Sequence, residues 1–241
     1  YIIRVPILKW LFGSFNTYFL VIDVLQCIGL SLICIIILYF LSAKKTLIFS
    51  LITVFIGICI FLTEPLYRDL NFENIPLIFR NYISKSKGSI FTIIPWFGYM
   101  AFGAFLATIF YKNLDKRYFK TITVGSFMLI GTILIFYSSY ILCVISKTTN
   151  IKLFLDAASY NYLFTRLGNV FIYFAFFYTF EKYLKFPLIL KIGQKTLSIY
   201  VIHFILIYGS FTGIGLKLIG KTLTPWQAVF GALTFITCVC F

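Results

Sequence analysis

The only histidine of this chain, His203, belongs to a polar stripe on an otherwise apolar segment. An imidazole changes its protonation state near neutral pH and can transfer protons in catalysis. The stripe comprises Thr196, Tyr200, His203 and Ser210, whose spacing places all four on one helical face. Polar side chains at membrane depth mark functional sites, so we predict a catalytic role for His203 and substrate binding for Tyr200. A neutral histidine that is hydrogen-bonded to a neighbouring helix explains the pattern equally well.

Asp23 and Gln26 form a second polar pair near the start of the first apolar segment. Their spacing of three residues puts both side chains on the same face of a helix. A carboxylate at this position can orient a histidine or bind a substrate hydroxyl. We therefore predict Asp23 as a catalytic residue and Gln26 as a substrate-binding residue. A structural ion pair between two helices is the alternative.

Trp96 and Arg166 lie at the starts of two further apolar segments. A guanidinium can clamp an anionic group such as a phosphate, and an indole can line a substrate pocket. We predict that both residues bind substrate. Trp96 also suits the aromatic belt of a membrane interface, and Arg166 also suits a flank that sets topology.

Long apolar segments position these residues and predict an all-α fold, a polytopic transmembrane helical bundle with about seven spanning segments. Hydrophobic residues make up 61% of the 241 residues, charged residues 12%, and the mean hydropathy is +0.99. A spanning helix needs about 20 apolar residues. The candidate segments are 18–41, 46–62, 90–111, 121–145, 166–184, 195–211 and 225–241. We predict a single integral-membrane domain over residues 1–241.

The net charge of +14 follows a membrane pattern, because the cations lie in loops and at segment ends. Short basic loops alternate with longer mixed loops, and the positive-inside rule puts the basic ones in the cytoplasm. The loop 63–89 is then external, and its unusual length indicates a functional or disordered segment. We predict no nucleic-acid partner. The six cysteines show no metal-ligand spacing, so no metal site is predicted either.

Three stretches, taken in order, resemble one family of membrane enzymes. They are 23–31 (Asp-Val-Leu-Gln-Cys-Ile-Gly-Leu-Ser), 89–99 (Ser-Ile-Phe-Thr-Ile-Ile-Pro-Trp-Phe-Gly-Tyr) and 193–203 (Gly-Gln-Lys-Thr-Leu-Ser-Ile-Tyr-Val-Ile-His). This order resembles the bacterial relatives of heparan-α-glucosaminide N-acetyltransferase, within the wider superfamily of polytopic membrane acyltransferases. The resemblance implies transfer of an acetyl group from cytoplasmic acetyl-CoA to a sugar or glycan on the other side of a bacterial inner membrane.

The resemblance also implies that part of the site lies upstream. In this family a helix with an Arg-Gly start and a polar His or Asn precedes the Asp-x-Leu-Gln helix and carries the residues usually assigned to catalysis. Residues 1–17 of this chain contain no histidine. We therefore expect a fragment of a longer protein, which lacks this upstream helix and also lacks the C-terminal end of the domain. His203 would then orient the acceptor or shuttle a proton, and Asp23 would fix an imidazole from the upstream helix.

Basic side chains between the third and fourth segments suit the phosphates of acetyl-CoA. These are Lys112, Lys116, Arg117 and Lys120, and anchoring at the cytoplasmic face is their alternative role. The expected partners are the lipid bilayer and a glycan acceptor, and a homodimer is left open. Two other functions also stay open, a transporter or flippase for a small molecule or lipid-linked sugar, and a non-catalytic membrane scaffold. A transporter predicts inverted repeats and paired broken helices, which the sequence does not display.

Overall fold

The computed structural model describes residues 13, 21–68, 75–83, 91–208, 215–216, 220 and 222–240. Across these residues the chain forms thirteen helices and no strand, which confirms the all-α prediction. The chain divides into a larger unit, Ile22–Glu181, and a smaller unit that joins Tyr1–Val21 with Lys182–Phe241. The single domain over residues 1–241 stays a prediction.

Nine of the helices in the described residues belong to the larger unit. They are α1 (Val24–Leu41), α2 (Thr46–Leu62), α3 (Glu64–Tyr67), α4 (Leu77–Ile83), α5 (Ile93–Asn113), α6 (Phe119–Phe136), α7 (Ser138–Thr149), α8 (Lys152–Ser159) and α9 (Tyr162–Thr179). A four-residue helix, α10 (Glu181–Leu184), leads into the smaller unit. There follow α11 (Pro187–Gln194), α12 (Thr196–Tyr208) and α13 (Pro225–Cys240).

Helices α1, α5 and α6 are long and apolar enough to cross a membrane. Helices α11 and α12 pass the same test together as a pair bent by 65°, so the described residues contain three to four candidate spans. Two shorter apolar helices, α2 and α13, accompany them. The transmembrane helical bundle is therefore confirmed, whereas the number of seven spans stays a prediction.

Several predicted segments differ from the observed helices at their ends. The segment 121–145 is not one helix, because α6 ends at Phe136 and α7 begins at Ser138, whose hydroxyl donates to the Leu134 carbonyl. Helix α9 begins four residues before the predicted segment 166–184 and ends at Thr179. The predicted loop 63–89 contains the short helices α3 and α4. Local hydrogen bonds and caps, which hydropathy does not record, fix these ends.

The larger unit is built on two closely packed helix pairs, α2 with α5 and α6 with α9. Phe61 on α2 lies at the centre of its apolar core with Phe127, Leu167 and Phe171. Its ring passes α5 at Gly98, where an added Cβ would lie 2.6 Å from the ring. The absence of a side chain at Gly98 therefore lets α2 and α5 approach each other closely.

The helices of the larger unit alternate in direction, so its two ends have different chemistry. One end holds the end of α2, helices α3 and α4, and the starts of α5 and α9, where a polar cleft lies. The opposite end holds the turns after α1 and α5, which carry exposed lysines and Arg117.

Candidate functional site

A shallow cleft opens at the polar end of the larger unit, with room for little more than one water-sized group. It is lined by Glu64, Tyr67, Arg68, Ile83, Thr92, Ile94, Pro95 and Tyr162. Four separate stretches thus meet here, namely α3, the end of α4, the start of α5 and the start of α9. Concave sites with a few convergent polar groups are the usual place for small-molecule binding.

The charged centre of the cleft is an ion pair between Glu64 and Arg68, four residues apart on and just after α3. The Nε of Arg68 donates to both carboxylate oxygens, at 2.9 Å and 3.1 Å, and a second guanidinium nitrogen donates to Oε2. The Glu64 side chain is only 7% exposed, whereas that of Arg68 is 36% exposed. The buried carboxylate therefore fixes a guanidinium that still reaches solvent.

Tyr67 lines the same cleft and is hydrogen-bonded to the preceding helix. Its hydroxyl donates to the Ile60 carbonyl at 2.8 Å, which joins α3 to the last turns of α2. Burial raises the pKa of Tyr67 above its usual value, and the nearby Tyr162 and Glu64 raise it further. The phenol is therefore a neutral hydrogen-bond donor throughout the physiological pH range.

Two tyrosines and two arginines form a continuous stack beside the cleft, which we call the guanidinium–tyrosine stack. The Arg68 guanidinium carbon lies 4.2 Å from the centre of the Tyr160 ring. The rings of Tyr160 and Tyr162 are 5.1 Å apart, and the Arg166 guanidinium carbon is 5.1 Å from the Tyr162 ring. A cation over an aromatic face is attracted electrostatically to the ring, so each guanidinium group is held beside a tyrosine.

Asp23 and Gln26 form a capping box at the start of α1. The Asp23 carboxylate accepts from the Val24 amide at 2.8 Å, and the Gln26 side-chain oxygen accepts from the Asp23 amide. This arrangement satisfies backbone donors that a helix start leaves open. The predicted pair thus has a structural use, and the predicted roles of Asp23 in catalysis and Gln26 in binding stay predictions.

The first turn of α1 also lies against the cleft wall. The Cys27 thiol is 3.7 Å from the carbonyl oxygen of Thr92, a buried cleft residue. The Thr92 hydroxyl in turn donates to the Ile94 carbonyl at 2.6 Å, beside the cis peptide bond between Ile94 and Pro95. Asp23 therefore caps a helix that contacts the cleft without itself lining it.

Trp96 and Arg166 lie in the same aromatic neighbourhood. Trp96 packs between Phe91 and Tyr99, with ring-centre distances of 5.3 Å and 5.7 Å. The Tyr99 hydroxyl donates to the Leu163 carbonyl at 3.1 Å, which joins α5 to the helix that carries Arg166. The structure therefore brings these two predicted binding residues to the end of the larger unit that bears the cleft.

Tyr200 and His203 belong to the smaller unit. Their rings are 5.0 Å apart in an edge-on arrangement, and His203 Nδ1 lies 3.3 Å from the Ile199 carbonyl oxygen. The Thr196 hydroxyl donates to the Gly193 carbonyl at the bend between α11 and α12. The fourth member of the predicted stripe, Ser210, lies outside the described residues. The contact between Tyr200 and His203 agrees with their predicted common face.

Sequence reasoning missed the residues that define the cleft. Glu64, Tyr67 and Arg68 form the run Glu-Pro-Leu-Tyr-Arg directly after an apolar segment. The signal that could have identified them is a carboxylate and a guanidinium four residues apart at a helix start. Tyr160 and Tyr162 carry no comparable signal, because only the packing of α3 against α8 brings them to Arg68.

The basic end of the larger unit contains the four predicted phosphate-binding cations. Lys120 forms an ion pair with Glu181 at 3.2 Å and lies over the Tyr178 ring. Lys112, Lys116 and Arg117 are exposed and have no carboxylate within ion-pair distance among the residues that the structure describes. Three of the four cations are thus available to an anionic group.

The described residues define an integral membrane protein with a polar cleft at one end and a basic surface at the other. The family model for the heparan-alpha-glucosaminide N-acetyltransferase catalytic domain matches residues 3–146. This match covers more than half of the chain, so the chain belongs to that family and has a function of the membrane acyltransferase type. None of the curated proteins and none of the solved structures compared with the chain matches it.

The matched region contains some of the predicted site residues but not all of them. It contains Asp23, Gln26, Trp96 and the Glu64–Arg68 ion pair, whereas the residues from α9 onward lie beyond it. The third stretch of the sequence resemblance, 193–203, also lies beyond the match. Membership of the family therefore rests on residues 3–146, which include α1 to α6 and most of α7.

Proposed function

We propose that this chain is the membrane part of an acetyltransferase that uses acetyl-CoA as donor and a sugar or glycan as acceptor. The observation that carries this proposal is the family match over residues 3–146. Two features support it, namely the exposed cations at one end of the larger unit and the polar cleft at the other. This separation suits a donor in the cytoplasm and an acceptor on the far side of a bacterial inner membrane.

Acetyl-CoA supplies an activated thioester to this reaction. The acceptor oxygen or nitrogen bonds to the acetyl carbonyl carbon, the carbon–sulfur bond breaks, and the acceptor proton ends on the coenzyme A sulfur. Lys112, Lys116 and Arg117 have the charge and exposure to hold the phosphates of the donor. His203, with Tyr200 against its ring, has the chemistry to move the acceptor proton.

A transporter is the second candidate, and one observation favours it. Helices α11 and α12 together form an apolar pair that is bent by 65° at Lys195. Broken spanning helices expose backbone groups at membrane depth and bind substrates in many transporters. The same bend would also serve an enzyme that brings two substrates together within the membrane.

Transfer of labelled acetyl groups separates these functions. Membrane vesicles that contain the full protein are incubated with radiolabelled acetyl-CoA and a panel of amino sugars, neutral glycans and acidic glycans. Label on a glycan supports the acetyltransferase. Uptake of glycan without label would replace it with the transporter, and neither result would leave a non-catalytic scaffold.

A substitution at His203 tests its part in the reaction. We expect His203→Ala to lower transfer by about tenfold or more at unchanged expression, as is typical for an acid–base group. Ser198→Ala on the exposed surface of the same helix is the matched control. Equal activity of the two variants would assign His203 a packing role.

A further inference from the structure

We propose that α11 is an interfacial anchor, which lies along the bilayer surface with its apolar side chains among the lipid chains and with Lys191 and Lys195 against anionic headgroups. Anchoring of this kind does not depend on the proposed function, because it concerns only how the adjoining helix α12 is seated in the membrane. It gives a partner of stated chemistry, an anionic phospholipid surface, to a helix that the acetyl transfer does not use.

Helix α11 is bent away from α12 by 65°. Its eight residues extend about 12 Å along their own axis, so they add only about 5 Å along the axis of α12. A spanning helix must cross roughly 30 Å of hydrocarbon. The apolar segment 195–211, which the sequence predicts, already begins at the bend. The direction of α11 therefore suits a helix that runs along the surface of the bilayer.

The side chains of α11 are divided between an apolar side and a basic side. Leu188, Ile189 and Ile192 fall within an arc of about 100° around the helix axis, and Lys191 and Leu190 flank this arc. No residue of α11 is buried, and Leu188 and Ile189 are 40% and 44% exposed. A helix with an exposed apolar side and a cation beside it is typical of helices that lie in a membrane interface.

The bend itself contains a charged residue. Lys195 is exposed there, and its amide donates to the Ile192 carbonyl at 3.1 Å. The Thr196 hydroxyl donates to the Gly193 carbonyl across the same bend. A lysine near the middle of a bilayer is costly, whereas lysines at helix ends reach the headgroups readily. A bend at Lys195 is therefore expected at the bilayer surface and not in the middle of a broken span.

The charge of the smaller unit favours anionic lipid over a second copy of this chain. Residues 182–241 contain six lysines and no aspartate or glutamate. No carboxylate of the described residues lies within ion-pair distance of Lys191 or Lys195. Two copies of α11 would bring like charges together, whereas the phospholipids of a cytoplasmic leaflet carry negative charge. An anionic bilayer surface fits both the apolar side and the cations.

A depth measurement tests the position of α11, with the full chain in nanodiscs of phosphatidylcholine and phosphatidylglycerol. Tryptophan is introduced by Ile189→Trp on α11. Ile202→Trp is the matched control, at an exposed position on α12 about 10 Å beyond the bend. Lipids brominated near the headgroup or near the chain ends then quench the fluorescence that each substitution adds to the unaltered chain. We expect shallow bromine to quench Ile189→Trp more strongly, and deep bromine to quench Ile202→Trp more strongly.

Two results of this measurement would overturn the proposal. Stronger quenching of Ile189→Trp by deep bromine would show that α11 is half of a broken span, as the transporter requires. If neither lipid quenches Ile189→Trp, protein covers α11, either another part of this chain or a second copy. Neither result depends on acetyl-CoA, so success or failure of acetyl transfer is decided separately.

A second measurement tests the headgroup preference beside α11. The Ile189→Trp chain is compared in bilayers that contain equal fractions of brominated phosphatidylglycerol or brominated phosphatidylcholine. We expect phosphatidylglycerol to be enriched about fivefold around α11, the scale of one lysine at an anionic surface, and therefore to quench more strongly. Adding Lys191→Gln and Lys195→Gln should remove the excess, whereas Lys191→Arg and Lys195→Arg, the control that keeps the charge, should preserve it. Equal quenching by the two lipids, or an excess that survives the glutamine substitutions, would refute binding to anionic headgroups.

Discussion

Gly131 on α6 and Gly168 on α9 face each other across the closest helix contact of the larger unit. A Cβ added at Gly131 would lie 2.9 Å from the Gly168 carbonyl oxygen, and one added at Gly168 would lie 2.7 Å from the Gly131 carbonyl oxygen. Both neighbours are backbone atoms, which cannot rotate away. The two helices therefore depend on this pair for their spacing, and the start of α9 carries two members of the guanidinium–tyrosine stack, Tyr162 and Arg166.

We expect Gly168→Ala to lower the free energy of unfolding by about 1–3 kcal/mol, the usual cost of overpacking. Gly125→Ala is the matched control on α6, because a Cβ there meets nothing within 4 Å. It should be neutral or stabilising by up to about 1 kcal/mol, since alanine favours the helix. SDS titration in mixed micelles measures both, and equal effects would contradict a backbone contact at this crossing.

The two ion pairs found among the described residues of the larger unit should differ in strength because they differ in exposure. Arg68→Gln leaves the Glu64 carboxylate, 7% exposed, without the bidentate partner seen here. We expect a loss of about 2 kcal/mol or more in the free energy of unfolding. Lys120→Gln breaks a pair whose side chains are each 39% exposed, and should cost less than about 1 kcal/mol. The same SDS titration compares the two variants, and losses of similar size would show that burial does not strengthen the Glu64 pair.

The bundle could be predicted from the sequence because the length of an apolar run directly records a membrane-spanning helix. Helix α2 has the bounds 46–62 that its apolar run predicts, and the first segment ends at Leu41 as predicted. Helix ends set by single side chains were harder to predict. The break at Tyr137 lies inside the predicted segment 121–145, where Ser138 and Ser139 follow it, and two serines within so long an apolar segment do not by themselves predict a helix end.

The cleft could not be predicted for a different reason. Arg68 and Tyr160 are far apart in the sequence, and their contact exists because α3 packs against α8, which ends just before Tyr160. Arg166 and Trp96 were predicted as binding residues from their chemistry at helix starts, and they do lie at the end that bears the cleft. The contact between Arg68 and Tyr160 depends on tertiary packing, and the periodicity of a single segment does not encode such a contact.

Tyr67 gives the larger unit a dependence on alkaline pH. Its pKa is raised in the folded chain by burial, so its contribution to stability is complete below the unfolded value of about 10 and is lost as the pH rises above it. Tyr67→Phe removes this titration and one hydrogen bond, at a cost of about 1 kcal/mol at pH 8. The stability difference between the two chains should therefore shrink from pH 8 to about pH 11. SDS titrations across this range measure it, and a constant difference would contradict a buried neutral phenol.

Asp23 offers a separation of structural and catalytic roles, because asparagine and aspartate cap helices about equally well. Asp23→Asn keeps a side-chain oxygen for the Val24 amide, so we expect its free energy of unfolding to change by less than about 0.5 kcal/mol. Asp23→Ala removes the cap and should cost about 1 kcal/mol.

If the carboxylate charge takes part in acetyl transfer, Asp23→Asn should lose activity while keeping its stability. If the capping box is the whole role of Asp23, transfer will fall with Asp23→Ala alone, in parallel with its loss of stability. Measuring transfer and unfolding on both variants decides between these two roles of Asp23.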